Sequence, residues 1–229
     1  IMRSPDYPST DQPHWAAVDA YFAQHLAPAD ATLQAVVVNC VAAGMPPHEV
    51  SPVQGKLLSL LVTISGASRV LEIGTLGGYS TIFMARALPT GGRIVTIEKN
   101  TAFAEVARRN FRVAGVDTRI ELVVGSATDV LPGLEGPFDL TFIDADKRNN
   151  TVYLDWAIRL SRTGSIIVAD NVVRGGAVVD GSSTDPSVIG VRQFSSRLSS
   201  DPRLDSTALQ TVGEKGWDGF AISVVRGRS

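Results

Sequence analysis

The chain has 229 residues, of which 44% are hydrophobic and 19% are charged, and its formal net charge is -2. This length fits one large α/β domain that buries a core without disulfide or metal support, and the near-neutral charge gives no reason to expect nucleic acid or an anionic membrane as a partner. The one cysteine, Cys40, excludes an intramolecular disulfide.

The chain also lacks the marks of a membrane or secreted protein. No apolar run approaches the ~20 residues that span a bilayer. Residues 1–12 are polar and proline-bearing, without the apolar stretch of a secretory signal. We therefore expect a cytoplasmic protein.

Three helical segments come first in the chain. A helix is predicted at about 13–25, because proline suits the first helical turn. A second follows Asp30 as its N-cap and carries apolar residues at helical spacing, and a third opens with Ser51-Pro52. We interpret residues 1–65 as a helical cover and residues 66–229 as the sheet core of a single domain.

After residue 67 short β-branched runs alternate with helical stretches. The predicted strands are 69–73, 93–97, 120–124, 140–144 and 165–169, and the predicted helices between them are 79–88, 102–114, 126–134 and 149–160. Strands that are apolar on both faces and alternate with helices indicate a parallel, doubly wound sheet.

The C-terminal part has a different pattern. Strands are predicted at 204–211 and 220–225, joined by a turn-rich stretch at 213–219, which indicates an antiparallel hairpin at the sheet edge. No element is predicted between 186 and 204. The predicted fold is thus α/β, a doubly wound, mostly parallel seven-stranded sheet with an antiparallel C-terminal strand and N-terminal helices.

A glycine-bearing turn follows the first strand. Residues 70–80 contain Gly74 in the spacing G-x-x-G-G, and Leu76 stands where the dinucleotide fingerprint needs its middle glycine. Glu98 ends the second strand, where a carboxylate can accept both hydroxyls of a ribose; a solvated carboxylate is the alternative. Glu72 lies inside an apolar strand, which is costly without a partner, and a ligand above the strand would be one.

These residues resemble a known family. The motifs Glu72-Ile-Gly74, Gly78-Tyr-Ser80, Ile97-Glu98 and Gly125-Ser-Ala127 occur in the order found in class I, cation-dependent O-methyltransferases of the catechol and caffeoyl-CoA type, in particular the bacterial ones, over about residues 45–226. The resemblance implies transfer of a methyl group from S-adenosylmethionine to one hydroxyl of a catechol-type, vicinal-diol aromatic acceptor. It also implies a homodimer.

The resemblance further implies roles for individual residues. The methionine part of the cofactor would meet Val50, Glu72, Gly74 and Ser80, while Glu98 would hold the ribose. Ala127 would lie beside the adenine, and Asp144 and Asp146 would line the cofactor pocket.

Polar residues end the fourth and fifth strands. Because the carboxyl ends of parallel strands lie at one edge of a sheet, Asp144, Asp170 and Asn171 are expected to converge. Three oxygen ligands without His or Cys suit Mg²⁺, or Mn²⁺ or Ca²⁺. Helix or turn capping is the alternative for each motif alone. In the family that the chain resembles, these positions hold the metal.

Lys147 follows Asp144 by three residues, near a helix start. The helix dipole disfavours a cation there, so a purely structural role is less favoured, although a solvated surface lysine is the alternative. We predict that Lys147 is the general base that removes the phenol proton and that Asp144 shares in catalysis. The three histidines, His14, His25 and His48, all precede the sheet, so a histidine base is not supported.

Two other functions fit parts of the sequence. A nicotinamide-dependent oxidoreductase would use the same kind of sheet, but Leu76 breaks its fingerprint and Asp170-Asn171 would be unexplained. A non-catalytic module that binds S-adenosylmethionine would not need the Asp144, Lys147 and Asp170 set. The loop at 174–186 begins with Arg174-Gly175, where the plant caffeoyl-CoA enzymes have tryptophan-asparagine, so a CoA-ester acceptor is not favoured.

Overall fold

A computed structural model describes residues 9–28 and 30–227 of the chain, so the prediction for the first eight residues lies outside the described residues. The α-helices of the described part are α1 (Gln12–Leu26), α2 (Ala31–Ala42), α3 (Pro52–Ser65), α4 (Tyr79–Ala87), α5 (Thr101–Val113), α6 (Ala127–Val130), α7 (Asn150–Arg159) and α8 (Pro186–Ser200). The strands are β1 (Arg69–Ile73), β2 (Arg93–Glu98), β3 (Ile120–Val124), β4 (Phe138–Ile143), β5 (Ser161–Asp170), β6 (Leu204–Gly213) and β7 (Gly216–Val225).

The starts of the N-terminal helices follow the local sequence. Asp30 precedes α2, and its side chain accepts a hydrogen bond from the Leu33 N–H at 2.9 Å. Ser51 and Gln54 form a reciprocal capping box at the start of α3, with Pro52 in the first turn. Each cap satisfies N–H groups that have no partner inside the helix. The three predicted helices are confirmed.

Within the described residues the strands form one seven-stranded sheet in the order β3-β2-β1-β4-β5-β7-β6. Strands β1 to β5 are parallel, and β7 runs antiparallel to both β5 and β6. Ile73 pairs with Ile97 on one side and Ile143 on the other, and Ile143 pairs with Ala169, so these strands end at one level. The predicted fold class and edge hairpin are confirmed.

Several predicted boundaries were wrong. The helix predicted at 126–134 is only the short α6, followed by a 3₁₀ turn at Leu131–Gly133, because Pro132 has no N–H to continue the α-helical bonds. The hairpin turn consists of residues 214–215 alone, since β6 and β7 stay paired as far as Gly213 and Gly216.

Helix α8 was not predicted, although its signals are local. The Asp185 side chain accepts a bond from the Ser187 N–H at 2.7 Å, and Pro186 occupies the first turn. The helix buries Val188, Val191, Phe194 and Leu198 against the sheet. At Gly190 it lies so close to the turn after β4 that a Cβ would collide with the Lys147 carbonyl oxygen.

The N-terminal helix α1 differs from the others because none of its side chains is buried. It contacts β6 and α3. No helix in the described part of the chain is both long enough and apolar enough to cross a membrane.

Candidate active site

A cavity of about 630 Å³ lies at the carboxyl ends of β1, β2 and β4. This volume falls in the range of small-molecule sites, about 300–1,000 Å³. The structure brings most of the predicted site residues to its wall, namely Val50, Gly74, Ser80, Glu98, Ala127, Asp144, Asp146, Lys147 and Asn171. Glu72 and Asp170 do not line this cavity.

The turn after β1 requires glycine at one position in particular. Gly74 has a φ of +100°, and a Cβ there would collide with the Asp144 carbonyl oxygen. Strand β4 therefore approaches the turn as closely as the backbones allow. Leu76, which follows, has a φ of +50°, an unusual value for a residue with a side chain.

Glu98 supports the strained part of that turn. Its Oε2 accepts a hydrogen bond from the Leu76 N–H at 2.8 Å, and its Oε1 accepts one from the Asn100 N–H at 2.8 Å. The side chain is 7% exposed and lines the cavity. Each oxygen keeps a lone pair after one bond, so the carboxylate can also accept from a ligand.

Glu72 was expected to need a ligand as its partner, and the structure corrects this expectation. Its carboxylate is fully buried and accepts hydrogen bonds from the hydroxyls of Ser80 at 2.6 Å, Thr96 at 2.6 Å and Thr81. Burial raises the pKa of Glu72 to about 7, although the three hydroxyls oppose this shift. Of these four residues only Ser80 lines the cavity, and its hydroxyl is oriented by the hydrogen bond that it donates to Glu72.

Asp146 lines the cavity and is held by side chains that follow it in the chain. Its Oδ1 accepts a bond from the Tyr153 hydroxyl at 2.6 Å, and its Oδ2 accepts bonds from Asn149 and Arg148. Tyr153 itself lines the cavity and was not singled out from the sequence. Burial, together with Asp146, raises the pKa of the Tyr153 phenol, so the tyrosine remains a hydrogen-bond donor.

Lys147 and Asp144 form an ion pair at the end of β4. The Lys147 Nζ lies 2.8 Å from Asp144 Oδ1, and the two side chains are 8% and 22% exposed. A lysine buried to this degree requires a partner. The solvated surface lysine that was the alternative is therefore excluded.

Asp170 lies beside Asp144, because the residues before them, Ile143 and Ala169, are paired in neighbouring strands. Burial and the negative charge of Asp144 raise the pKa of Asp170 well above its usual range, although Lys147 opposes this. Asn171, which follows, has a φ of +59°, and its N–H donates to Asp170 Oδ1 at 2.8 Å. Strain of this kind at a non-glycine residue is common at functional sites.

These two aspartates and one asparagine are a mixed set of oxygen donors. No three His, Cys, Asp or Glu side chains within 9–28 and 30–227 come together as a metal site. The predicted set contains only two carboxylates, and its third oxygen ligand is the side-chain amide oxygen of Asn171. Two carboxylates, one of them deeply buried, that share one ammonium bonded to Asp144 fit a cation, because burial of like charges is costly without a counter-charge.

Other cavity residues were not found from the sequence. His48, Phe103, Arg174 and Lys215 all line the cavity. Lys215 comes from the hairpin turn and donates to the Glu49 carbonyl at 2.9 Å, across 166 positions of sequence. No local pattern marks Lys215, because only the packing of the hairpin against the segment before α3 brings it to the site.

Residues 24–219 match the sequence profile of the O-methyltransferase family. The chain belongs to this family. It is 51% identical to a catechol O-methyltransferase of Mycobacterium tuberculosis over 94% of this chain and 98% of that one.

Two solved structures are similar over almost their whole length. An O-methyltransferase from Bacillus cereus in complex with S-adenosylhomocysteine is 50% identical, with a TM-score of 0.92 over 93% of this chain and 99% of that one. An O-methyltransferase from Streptomyces achromogenes, involved in tomaymycin synthesis and in complex with S-adenosylmethionine, is 45% identical, with a TM-score of 0.92 over 96% of this chain and 100% of that one.

The family membership decides between the functions that the sequence left open. The chain is an S-adenosylmethionine-dependent O-methyltransferase, and neither the oxidoreductase nor the non-catalytic binding module is favoured. The cavity at the glycine turn is accordingly the candidate cofactor site.

Proposed function

We propose that this O-methyltransferase methylates one hydroxyl of a catechol-type acceptor with the help of a divalent cation. Asp144, Asp170 and Asn171 would hold the cation, which is Mg²⁺ or a similar hard ion such as Mn²⁺ or Ca²⁺. The name of the relative from Mycobacterium tuberculosis, at 51% identity, supports a catechol as the acceptor.

The observation that carries the proposal is that Asp144 and Asp170 follow directly on the paired residues Ile143 and Ala169, at the ends of β4 and β5. Both lie where open α/β sheets bind their ligands. The raised pKa of Asp170 means that two carboxylates at this place are not fully balanced by Lys147. A dication between them supplies the missing positive charge, and Asn171 adds an uncharged oxygen.

The chemistry follows from the residues around this position. A bound divalent cation would acidify a chelating phenol as it acidifies bound water, which explains a preference for two vicinal hydroxyls. Lys147 would act as the general base, with its Nζ receiving the proton of the phenol hydroxyl. The phenolate oxygen then forms its bond to the methyl carbon as the sulfonium S–C bond breaks, which leaves an aryl methyl ether and S-adenosylhomocysteine. The cavity wall contributes orientation of the two reactants.

We also propose roles for the cofactor-binding residues. Val50, Gly74 and Ser80 would meet the methionine part, Glu98 the ribose and Ala127 the adenine, and Asp146 would line the same cavity. All six line it, which supports these roles. Glu72 would act on the methionine part through Ser80, because the hydroxyl of Ser80 donates to it.

Methylation assays with labelled S-adenosylmethionine test the proposal. Catechol, resorcinol and phenol should be compared after EDTA treatment and after the addition of Mg²⁺. We expect methylation of catechol alone, and only with the cation, because the other two compounds cannot chelate through neighbouring oxygens. Activity that survives complete metal removal would contradict the metal role, and equal rates with resorcinol would contradict the vicinal-diol requirement.

We further propose a homodimer. Helix α1 buries none of its side chains, and four large apolar ones, Val18, Tyr21, Phe22 and Leu26, are 44–63% exposed. An apolar surface of this kind commonly marks an interface between proteins. Light scattering at micromolar concentration should give twice the chain mass, and Tyr21→Glu should shift it toward the monomer. A monomer in the unmodified protein would contradict the proposal.

A further inference from the structure

A second cavity, of about 250 Å³, adjoins the cofactor cavity and shares Asn171 and Lys215 with it. It lies between the first turns of α3, helix α1 and one face of the β6–β7 hairpin. Its apolar wall comes from Val53, Leu57, Val212 and Phe220. Asp170, which is absent from the wall of the cofactor cavity, lines this one. The two cavities therefore meet at the proposed metal ligands.

Asp19 of α1 is a carboxylate in the wall of this second cavity. Its Oδ2 accepts a hydrogen bond from the Glu214 N–H at 2.9 Å, across 195 positions of sequence. The side chain packs against Gly213 so closely that a Cβ there would collide with it. Burial raises the pKa of Asp19, and no positive side chain of residues 9–28 and 30–227 opposes this. Among the described residues Asp19 has no ion-pair partner.

The other charged groups of the cavity are already engaged. Asp218 accepts bonds from the Val173 and Arg174 N–H groups, at 2.9 and 3.1 Å. Lys215 donates to the Glu49 carbonyl. Asp170 belongs to the proposed metal set. Among the described carboxylates of this wall, Asp19 is therefore the one that has neither a positive side chain nor a proposed metal as its partner.

The hairpin sets the separation between the two ends of the cavity. Phe220 pairs with Asp170, and Gly216 lies four residues further along β7, roughly 13 Å away at about 3.4 Å per residue. Gly216 in turn pairs with Gly213, which Asp19 contacts. The wall of this cavity combines the apolar side chains of Val53, Leu57, Val212 and Phe220 with polar ones, and a cavity of this length and volume suits an aromatic ring with a short side chain.

We infer that the second cavity holds the ring and side chain of the acceptor, and that Asp19 selects acceptors with a protonated amine on the end opposite the two hydroxyls. This inference rests on the proposed catechol methylation. Asp19 would be a specificity-determining residue, because its carboxylate contacts the part of the acceptor that does not react.

Three catechols that differ in the charge at the end opposite the hydroxyls test the role of Asp19. These are 4-(2-aminoethyl)catechol, 4-ethylcatechol and 3-(3,4-dihydroxyphenyl)propionate, which are positive, neutral and negative. We expect kcat/KM of the unmodified protein to fall in that order. Asp19→Asn keeps a carbonyl oxygen for the Glu214 N–H but removes the charge, so the ratio of the amine to the neutral acceptor should fall roughly tenfold. Asp11→Asn is the matched control, since Asp11 is exposed at the start of α1, and it should leave the ratio unchanged.

A binding measurement separates this inference from the proposed function. Calorimetry should compare the amine and neutral compounds on protein saturated with S-adenosylhomocysteine and Mg²⁺. If no catechol is methylated but the amine binds more tightly than the neutral compound, and only when Asp19 is present, the proposed function is wrong, whereas the assignment of amine recognition to Asp19 holds. If the unmodified protein does not prefer the amine in binding, or Asp19→Asn preserves the preference, the inference is overturned.

Discussion

Lys147 and Asp144 form an ion pair of 2.8 Å at the end of β4, with the lysine almost fully withdrawn from solvent. The turn that carries both residues packs against Gly190 of α8, which leaves no room for a side chain there. The packing of a helix therefore positions the backbone of Lys147, while the charged partner Asp144 holds its ammonium.

Replacing this lysine tests its role as the base. Lys147→Ala should lower kcat by about 10²–10⁴-fold, the usual effect of losing a general base. The defect should shrink as the pH rises and with more acidic phenols, because more of the acceptor then ionises without help. Calorimetric affinity for Mg²⁺ should not weaken, since a competing positive charge is removed. Lys56→Ala, on the exposed side of α3, is the control. Full activity of Lys147→Ala with catechol at neutral pH would rule out the base assignment.

Removing one carboxylate tests the metal site. Asp170→Asn keeps the size of the side chain and should weaken Mg²⁺ binding by at least about 100-fold, as expected for the loss of a ligand. Catechol methylation should disappear at low Mg²⁺ and return in part at high Mg²⁺. Calorimetry and a titration of activity against Mg²⁺ measure the two effects. Asp205→Asn, on an exposed strand, should change neither. Unchanged Mg²⁺ affinity in Asp170→Asn would leave Asp170 as a turn residue.

The cofactor site depends on Glu98 in two ways. Glu98→Ala should weaken S-adenosylhomocysteine binding by roughly 1.5–3 kcal/mol, the range for hydrogen bonds to a charged group. Part of this loss arises because the Leu76 N–H also loses its acceptor. Glu98→Gln keeps one carbonyl oxygen, so its loss should be smaller. Isothermal calorimetry on both variants and on Glu121→Ala, an exposed residue of β3, gives the comparison. Equal affinity for Glu98→Ala would remove Glu98 from the cofactor site.

The buried Glu72 makes stability depend on pH. Its pKa of about 7 in the folded chain is above the unfolded value, so the folded state retains a proton that the unfolded state has lost between those two values. Stability should therefore fall as the pH rises from about 4.5 to 7. Glu72→Gln carries no charge and should be more stable than the parent by up to about 3 kcal/mol at pH 8, with little difference at pH 4.5. Urea unfolding without cofactor or metal measures this. A parent protein as stable as the variant at pH 8 would contradict it.

Local chemistry determined much of the architecture. The caps at Asp30 and Ser51 and the alternation of strands with helices were readable because each depends on residues a few positions apart. The edge of the sheet that carries the polar site residues could be predicted for a similar reason. Parallel strands end at one side, so polar residues after β4 and β5 had to lie near each other.

Only the tertiary structure determined which side chains form hydrogen bonds with each other within this fold. Glu72 takes its partners from the next helix and strand, where the sequence pattern suggested a ligand. Asp19 meets Glu214, and Lys215 meets Glu49, only because the hairpin folds back over the N-terminal helices. Periodicity along the chain determines which face of an element is buried. The contacts between distant elements depend on how those faces pack, and this packing builds the second cavity.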